Sequence, residues 1–245
     1  MTFRDGGRAI VTGAASGMGE ATARRLTAEG IDVLAVDVNA DGMAHLDCEQ
    51  LVADLGDPDD RARVAAKADG VDYLVNAAAI IQFKPIFEFT VEDWRRVFQV
   101  NAESTFFLCQ TIGPKMRPGG AIVNFSSTSA KLSTTIEAAP YAATKTAILS
   151  ITRSFAYALA YLPIRVNAIV PGITDTAMQE QVLEEIAPLR GTTAEELASS
   201  RLKSVPLGRS SSSDEAAGVI CFLLSDEAAY ITGENLNFAG GLVMW

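Results

Sequence analysis

Residues 8–19 read Arg8-Ala9-Ile10-Val11-Thr12-Gly13-Ala14-Ala15-Ser16-Gly17-Met18-Gly19, and a helical pattern follows from Glu20 to Glu29. The mostly apolar run up to Thr12 predicts a buried strand that passes directly into a glycine-rich loop. Glycines let a backbone turn tightly and approach a pyrophosphate, and the N-terminus of the following helix offers unpaired N–H groups and the positive end of its dipole. The stretch therefore predicts a strand, a loop and a helix that bind a dinucleotide, with the spacing Gly-x-x-x-Gly-x-Gly instead of the commoner Gly-x-Gly-x-x-Gly. The predicted phosphate-binding residues are Gly13, Ser16, Gly17, Met18 and Gly19.

A second strand is predicted at Ile31–Val36, and it places Asp37 at its carboxyl end. An acidic side chain at this point accepts hydrogen bonds from the ribose hydroxyls of adenosine and repels a 2′-phosphate. No basic residue stands at positions 14–18 or 38–40 to attract that phosphate. The sequence therefore predicts NAD rather than NADP as the cofactor.

Further apolar strands alternate with helical segments along the chain. They are predicted at Val71–Asn76, Ala121–Ser126, Arg165–Val170 and Asn235–Phe238. Near-continuous apolar strands are typical of a parallel sheet that is covered on both faces. With 245 residues, 49% of them apolar, and no linker or repeat, we predict one α/β domain over residues 1–245. The expected architecture is a Rossmann-type doubly wound parallel sheet of about seven strands.

Composition excludes several classes of function. A formal net charge of −10 argues against nucleic-acid binding, because a phosphate backbone needs a basic surface. No run of about eighteen apolar residues predicts a membrane span, and Met1–Asp5 lacks the apolar core of a signal peptide, so we expect a cytoplasmic protein. Three scattered cysteines, Cys48, Cys109 and Cys221, predict no metal site. The single histidine, His45, lies far from any nucleophile signal and is expected at the surface.

The segment Tyr141-Ala142-Ala143-Thr144-Lys145 places a phenol and an ammonium on one face of a predicted helix. A free phenol has a pKa near ~10 and is a poor base at neutral pH, so a nearby cation is one of the few ways to favour its phenolate. The pair is therefore a candidate acid/base.

Together these motifs resemble the short-chain dehydrogenase/reductase family over essentially the whole chain. The match covers the cofactor loop Thr12–Gly19, Asp54 as the adenine-contacting acid, Asn76-Ala77-Ala78-Ala79 after the fourth strand, Asn101, Asn124-Phe125-Ser126-Ser127, Tyr141 with Lys145, and Pro171-Gly172 with Thr176. The resemblance implies hydride transfer between a carbinol carbon and a nicotinamide. It also implies that the catalytic residues are Asn101, Ser127, Tyr141 and Lys145, and that Asp54, Asn76, Tyr141, Lys145, Pro171, Gly172, Thr174 and Thr176 join the loop in binding the cofactor.

Three features depart from the family's pattern. Ala77 and Ala79 replace an asparagine and a glycine, which removes no catalytic group. The interval from Ser127 to Tyr141 is one residue longer than usual, so Thr128 is a rival for the serine's role, although we prefer Ser127. Ser213 stands where a proline often precedes the penultimate helix, and it is predicted to be an N-cap.

The resemblance also implies how the catalytic residues divide the work. Tyr141 exchanges the hydroxyl proton of the substrate. Lys145 is expected to lower the pKa of Tyr141 and to hold the nicotinamide ribose. Ser127 is expected to hydrogen-bond the substrate oxygen, and Asn101 to hold a water that links Lys145 to solvent.

Residues 177–206 have helical apolar spacing up to a predicted break at Pro188 and Gly191, and we expect them to form a mobile cover over the substrate. The chain resembles dihydrodiol dehydrogenases of the 2,3-dihydro-2,3-dihydroxybenzoate type and also dehydrogenases of hydroxy acids and polyols. Lys131 is the one cation that the sequence suggests for a substrate carboxylate, and a solvated loop lysine is the preferred interpretation of it. Candidate substrate residues are Gln82, Phe83, Ser129 and Met178, with Trp245 as a further possibility.

The predicted helix Tyr141–Leu162 carries only Lys145 and Arg153 as charges. One apolar stripe would face the sheet, and the remaining apolar surface needs a second partner. A subunit contact between helices fits this, and the family's usual homotetramer agrees, with a homodimer as the alternative. For function we predict an NAD-dependent secondary-alcohol dehydrogenase. An NADPH-dependent ketoreductase and a catalytically silent NAD-binding sensor are the alternatives.

Overall fold

Seven parallel strands form one sheet in the computed structural model of the chain, which describes residues 1–133 and 135–245. The order across the sheet is β3-β2-β1-β4-β5-β6-β7, and helices cover both faces. This confirms the predicted doubly wound architecture. The strands are β1 Arg8–Thr12, β2 Asp32–Asp37, β3 Glu49–Val52, β4 Tyr73–Asn76, β5 Ala121–Phe125, β6 Arg165–Pro171 and β7 Asn235–Phe238.

Helices connect successive strands. None of them, within the described residues, combines the length and the apolar character needed to cross a membrane. The helices are α1 Gly17–Ala28, α2 Ala40–Met43, α3 Pro58–Ala65, α4 Val91–Phe98, α5 Ser104–Ile112, α6 Ala139–Ala158, α7 Ala177–Leu189, α8 Ala194–Lys203 and α9 Ser213–Leu224.

The hydrophobic core lies in two layers, one on each side of the sheet. Neighbouring residues of β1 point to opposite faces, as the two-residue period of a strand requires. Val11 joins Leu26 of α1 and Ile220 of α9 on one side, whereas Ile10 joins Ile112 of α5 on the other. Because both faces are covered, the central strands are buried along almost their whole length, which explains their continuous apolar sequence.

The helical pattern that the sequence shows from Val91 to Met116 does not form one continuous helix. A π-helical turn at Gln99–Glu103 separates α4 from α5 and gives the chain one wide turn in the middle of the pattern. Such turns are frequent at functional sites, and this one contains Asn101.

The predicted N-cap at Ser213 is wrong by one residue. Ser212 is the N-cap of α9: its hydroxyl accepts a hydrogen bond from the Glu215 N–H at 3.1 Å. The Glu215 carboxylate accepts the Ser212 N–H in return, which completes a capping box. Ser213 is therefore the first residue inside the helix.

The carboxyl ends of β1, β2 and β4 lie side by side at the point where the strand order reverses. Thr12 pairs with Val36 on one side and with Asn76 on the other. The loops that follow these strands therefore meet at one edge of the sheet. In open α/β sheets this is where ligands bind.

Candidate active site

A cavity of about 280 Å³ opens at this edge of the sheet. Its wall is built mainly from the loop between β1 and α1 and from the ends of β2, β3 and β4. The predicted cofactor residues that line it are Gly13, Ser16, Gly17, Met18, Gly19, Asp37, Asp54 and Thr176.

The glycines of the loop occupy positions that a side chain cannot fill. A Cβ added at Gly13 would lie 2.7 Å from the Ala78 nitrogen, and one at Gly19 would lie 2.1 Å from the Gly13 carbonyl oxygen. Gly13 and Gly17 also have φ values of +68° and +59°, which L side chains rarely adopt. The loop therefore packs tightly and keeps its backbone exposed to the cavity.

The N-terminus of α1 lies at the wall of this cavity. Ser16 is the N-cap, but its side chain makes no capping hydrogen bond with any described residue. The first-turn N–H groups therefore stay available for an anion at the positive end of the helix dipole. The cradle and the helix end together fit the diphosphate of a dinucleotide.

Asp37 is the last residue of β2 and contacts the glycine loop. Its two carboxylate oxygens accept the N–H groups of Ala15 at 3.1 Å and Asn39 at 3.0 Å. A carboxylate has about four acceptor sites, so two are left for the hydroxyls of a ribose. Asp37 thus has both the position and the free acceptors that the sequence argument requires.

Arg96 of α4 also lines this cavity, and the sequence argument missed it. Its guanidinium donates to the Asp54 carboxylate at 2.9 Å. The sequence pattern could not identify Arg96 as a cavity residue, because α4 lies far along the chain from the glycine loop and from β2.

Asn76 is not among the described residues that line this cavity. Its Nδ2 donates to Asn124 Oδ1 at 2.9 Å, and its own Oδ1 is buried without a partner among the described residues. Thr12 Oγ1, in contrast, accepts the N–H groups of Ala77 and Ala78 and so fixes the loop after β4. Contact between Asn76 and the cofactor stays a prediction.

A second cavity, of about 130 Å³, continues from the first and shares Met18, Phe125 and Thr176 with it. It brings together three of the four predicted catalytic residues, Ser127, Tyr141 and Lys145. Pro171, Gly172 and Thr174, predicted on the nicotinamide side, line it as well.

Tyr141 and Lys145 sit one turn apart on the buried face of α6. Lys145 Nζ donates to the Phe125 carbonyl oxygen at 2.8 Å and lies 5.4 Å from the centre of the Tyr141 ring. Burial lowers the pKa of Lys145 to about 7. Burial also raises the pKa of Tyr141 to about 12, against a smaller lowering effect of the Ser127 hydroxyl. Burial sets this direction, and a lowering of the pKa of Tyr141 by Lys145 stays a prediction.

Ser127 and its rival Thr128 both line the second cavity. Ser127 Oγ accepts the Ser129 N–H at 3.1 Å and begins a short 3₁₀ turn, which fixes the direction of its side chain. Ser127 is also the residue whose hydroxyl acts on the pKa of Tyr141. The geometry therefore favours Ser127.

Asn101 lies in the π-helical turn and is completely buried. Its amide bridges two segments: Oδ1 accepts the Ile80 N–H at 2.9 Å, and Nδ2 donates to the Ile80 carbonyl at 2.9 Å and to Thr144 Oγ1 at 3.2 Å. Asn101 is not one of the described residues that line either cavity. Its role in holding a water stays a prediction.

Residues 177–206 form a helical hairpin, α7 and α8, over the second cavity. Val182, Ile186 and Leu197 pack with Phe83 and Tyr141 in one apolar cluster. Helix α7 continues through Pro188 to Leu189, and the break before α8 falls at residues 190–193, which include the predicted Gly191. Arg190 ties the hairpin to the loop before α6 through two hydrogen bonds to the Glu137 carboxylate, at 2.8 and 2.7 Å. Mobility of this cover stays a prediction.

Three of the four candidate substrate residues, Phe83, Ser129 and Met178, line the second cavity. Gln82 is not among the described lining residues. Lys131 does not point into the cavity either, because its Nζ donates to Asn237 Oδ1 at 2.9 Å and to the Trp245 carbonyl. The lining residues that the sequence argument missed include Thr135, Gln179, Val182 and Arg201.

Comparison with known proteins gives a consistent answer. The family model described as "Enoyl-(Acyl carrier protein) reductase" matches residues 13–243. A curated relative, the D-threitol dehydrogenase of Mycolicibacterium smegmatis, is 35% identical over 97% of this chain and 93% of its own length.

Two solved structures are similar over their full lengths. A short-chain dehydrogenase/reductase of the glucose/ribitol dehydrogenase type from Brucella melitensis superposes with a TM-score of 0.89 at 30% identity, covering 100% of both chains. An actinorhodin polyketide ketoreductase, solved with NADPH, gives the same TM-score, identity and coverage.

Proposed function

Because the chain belongs to the short-chain dehydrogenase/reductase family, whose members are oxidoreductases of alcohols and ketones, we propose that it is an NAD-dependent dehydrogenase of a small secondary alcohol. One observation carries the proposal: Ser127, Tyr141 and Lys145 line a cavity that opens into the glycine-lined cavity. The nicotinamide, when bound, accepts or supplies the hydride. Tyr141 exchanges the proton of the substrate hydroxyl, and Ser127 positions the substrate oxygen.

The direction of the pKa shifts gives the two directions of the reaction different pH profiles. Alcohol oxidation needs the phenolate of Tyr141, whose pKa is raised to about 12. Ketone reduction needs the phenol, which is present at any lower pH. We therefore expect the rate of alcohol oxidation to rise steadily through the alkaline pH range. The rate of ketone reduction should stay flat over that range, because Tyr141 remains a phenol.

The preference for NAD rests on Asp37. Its carboxylate faces the first cavity and keeps acceptors for ribose hydroxyls, and its charge opposes a 2′-phosphate. One observation favours the alternative, an NADPH-dependent ketoreductase: Arg96 lines the same cavity and could pair with that phosphate. The Asp54 carboxylate already pairs with Arg96, which supports the proposal of NAD.

The test is nicotinamide absorbance during turnover, with NAD and NADP in parallel, against secondary alcohols, cyclic diols, polyols and hydroxy acids. We expect NAD reduction in the wild type and a loss of about 100-fold or more in Tyr141→Phe, since general acid/base catalysis contributes roughly 10²–10⁴. Tyr230→Phe is the matched control, because Tyr230 is fully exposed.

Two results would overturn parts of the proposal. If Tyr141→Phe kept most of its turnover, the acid/base assignment would be wrong. Tight NAD binding without turnover of any alcohol would instead favour the sensor.

We further propose that copies of the chain associate through α5 and α6. Phe106 and Phe107 of α5 are more than a third exposed, and Tyr157 of α6 is 91% exposed. An aromatic surface of this kind is typical of protein interfaces. Multi-angle light scattering should show a tetramer or dimer for the wild type and a smaller species for Tyr157→Glu, with Tyr230→Glu unchanged. A wild-type monomer at micromolar concentration would contradict the assembly.

A further inference from the structure

Arg201 of α8 lines the second cavity, together with Tyr141 and Ser127. The side chain is partly buried, and its guanidinium has no hydrogen-bond or ion-pair partner among the described residues. Leu197, one turn earlier on the same helix, is buried under the hairpin, which explains why Arg201 faces inward. An arginine so placed differs from the exposed arginines of the surface, several of which pair with carboxylates.

The surroundings of Arg201 make its lack of a partner costly. Burial lowers the pKa of Arg201, and the nearby positive charge of Arg190 lowers it further. Arg190 itself is paired with Glu137, so that carboxylate is already engaged by another guanidinium. A desolvated charge without a counterion is unfavourable unless a ligand supplies one.

The ionisable residues on the described cavity wall include basic side chains and no carboxylates. The described lining includes the two cations Lys145 and Arg201 and no Asp or Glu. This occurs in a chain with 30 acidic and 20 basic residues, where a carboxylate next to an exposed arginine is the common arrangement. Lys145 is already bound to the Phe125 carbonyl beside Tyr141, which leaves Arg201 as the cation free to meet a ligand.

We infer that the substrate is a compact hydroxy acid or the matching oxo acid, and that Arg201 binds its carboxylate while Ser127 and Tyr141 hold the reacting oxygen. The inference rests on the proposed function and names the substrate class for the same site. The planar guanidinium matches a carboxylate with two parallel hydrogen bonds. A cavity of about 130 Å³ is well below the roughly 300–1,000 Å³ of sites for drug-sized ligands, so the molecule is small.

Part of the wall is apolar. Phe83, Met178 and Val182 lie on it, and Gln179 adds a neutral amide. This arrangement suits a short carbon chain with an acid at one end and a carbinol at the other.

The experiment compares short hydroxy acids with their methyl esters and with the matching diols, which keep the carbinol and remove the charge. For the wild type we expect kcat/KM to favour the acids by roughly 10- to 150-fold, the range expected for hydrogen bonds to a charged group. Arg201→Gln should abolish that ratio, because it removes the charge that distinguishes an acid from its ester or its diol. Arg201→Lys should keep part of it. Lys203→Gln, which removes an exposed cation two residues along α8, is the matched control.

A second readout does not depend on turnover. Titration calorimetry of butyrate, an unreactive carboxylate, should detect binding to the wild type and to Lys203→Gln but not to Arg201→Gln. Nicotinamide binding and thermal unfolding of Arg201→Gln establish that the variant is folded, because the cofactor cavity contains no part of α8.

The outcomes separate the two proposals. Equal use of acids and diols by the wild type, or an acid preference that survives in Arg201→Gln, would overturn the assignment of Arg201 and leave the dehydrogenase intact. Failure of the wild type to bind nicotinamide or turn over any alcohol would overturn the proposed function. In that case the calorimetric difference between the wild type and Arg201→Gln still decides whether Arg201 binds carboxylates.

Discussion

Replacing Asn101 by alanine should destabilise the whole active-site region. The amide makes three buried hydrogen bonds, two with the backbone of Ile80 and one with the Thr144 hydroxyl. At about 1 kcal/mol for each bond, Asn101→Ala should lower the free energy of unfolding by about 3 kcal/mol. For a chain of this size 1 kcal/mol corresponds to roughly 2–4 °C, so the melting temperature should fall by about 6–12 °C.

The assay is chemical and thermal unfolding of the wild type and of Asn101→Ala, with Gln110→Ala as the control. Gln110 is exposed on α5, and its replacement should change the unfolding free energy by less than about 0.5 kcal/mol. Thr144→Val removes only one of the three bonds. In a double-mutant cycle with Asn101→Ala it should show a coupling of about 1 kcal/mol.

Kinetic measurements distinguish a structural role of Asn101 from a chemical role. Ile80 lines the cofactor cavity, so a loosened segment should raise the KM for NAD more than it lowers kcat. An Asn101→Ala protein as stable as the wild type would refute the reasoning. If such a protein also lost kcat, the water-holding role predicted from the family resemblance would be the better account.

Three further outcomes follow from the site. Gly19→Ala should abolish nicotinamide binding by calorimetry, because its Cβ would lie 2.1 Å from the Gly13 carbonyl, and retained affinity would contradict the cradle. Because burial lowers the pKa of Lys145 to about 7, the folded state loses this proton near pH 7, whereas the unfolded state holds it up to the ordinary pKa of 10.5. The free energy of unfolding should therefore rise with pH across this window, and Lys145→Met should flatten that rise in urea titrations. Glu137→Gln should weaken the contact with Arg190 and raise the substrate KM with little change in the KM for NAD; an unchanged substrate KM would mean that this ion pair does not hold the cover.

The sequence was sufficient for the parts of the fold that have local signals. The strand, glycine loop and helix from Arg8 onward follow from an apolar run and from glycines that no other residue can replace. The placement of Tyr141 and Lys145 on one face of α6 follows from helical spacing. Both features depend on neighbours within a few residues, which is what a sequence pattern records.

The features that the sequence missed depend on distant segments. The π-helical turn around Asn101 keeps the apolar periodicity of a helix and is stabilised by Ile80 and Thr144 from other parts of the chain. The N-cap of α9 lies in a run of serines, where neighbouring residues have the same capping ability, and only the partner Glu215 selects Ser212.

The pKa of Tyr141 is the clearest example of this limit. A tyrosine beside a lysine suggests a lowered pKa, and that expectation considers only the charge. In the folded chain α7 and α8 pack over Tyr141 through Val182 and Leu197, and this burial shifts the pKa the other way. Desolvation depends on every element that covers the group, so it cannot be read from two residues on one helix.

The same burial connects catalysis with the choice of substrate. A carboxylate on the wall of the second cavity would pair with Arg201 and would also favour the ammonium of Lys145, which would remove the low pKa of that lysine. The described wall has no such carboxylate, although the chain has ten more acidic than basic residues, 30 against 20. One feature, a described wall without carboxylates in an acidic protein, therefore leaves the pKa of Lys145 low beside Tyr141 and leaves Arg201 free to bind an acidic substrate.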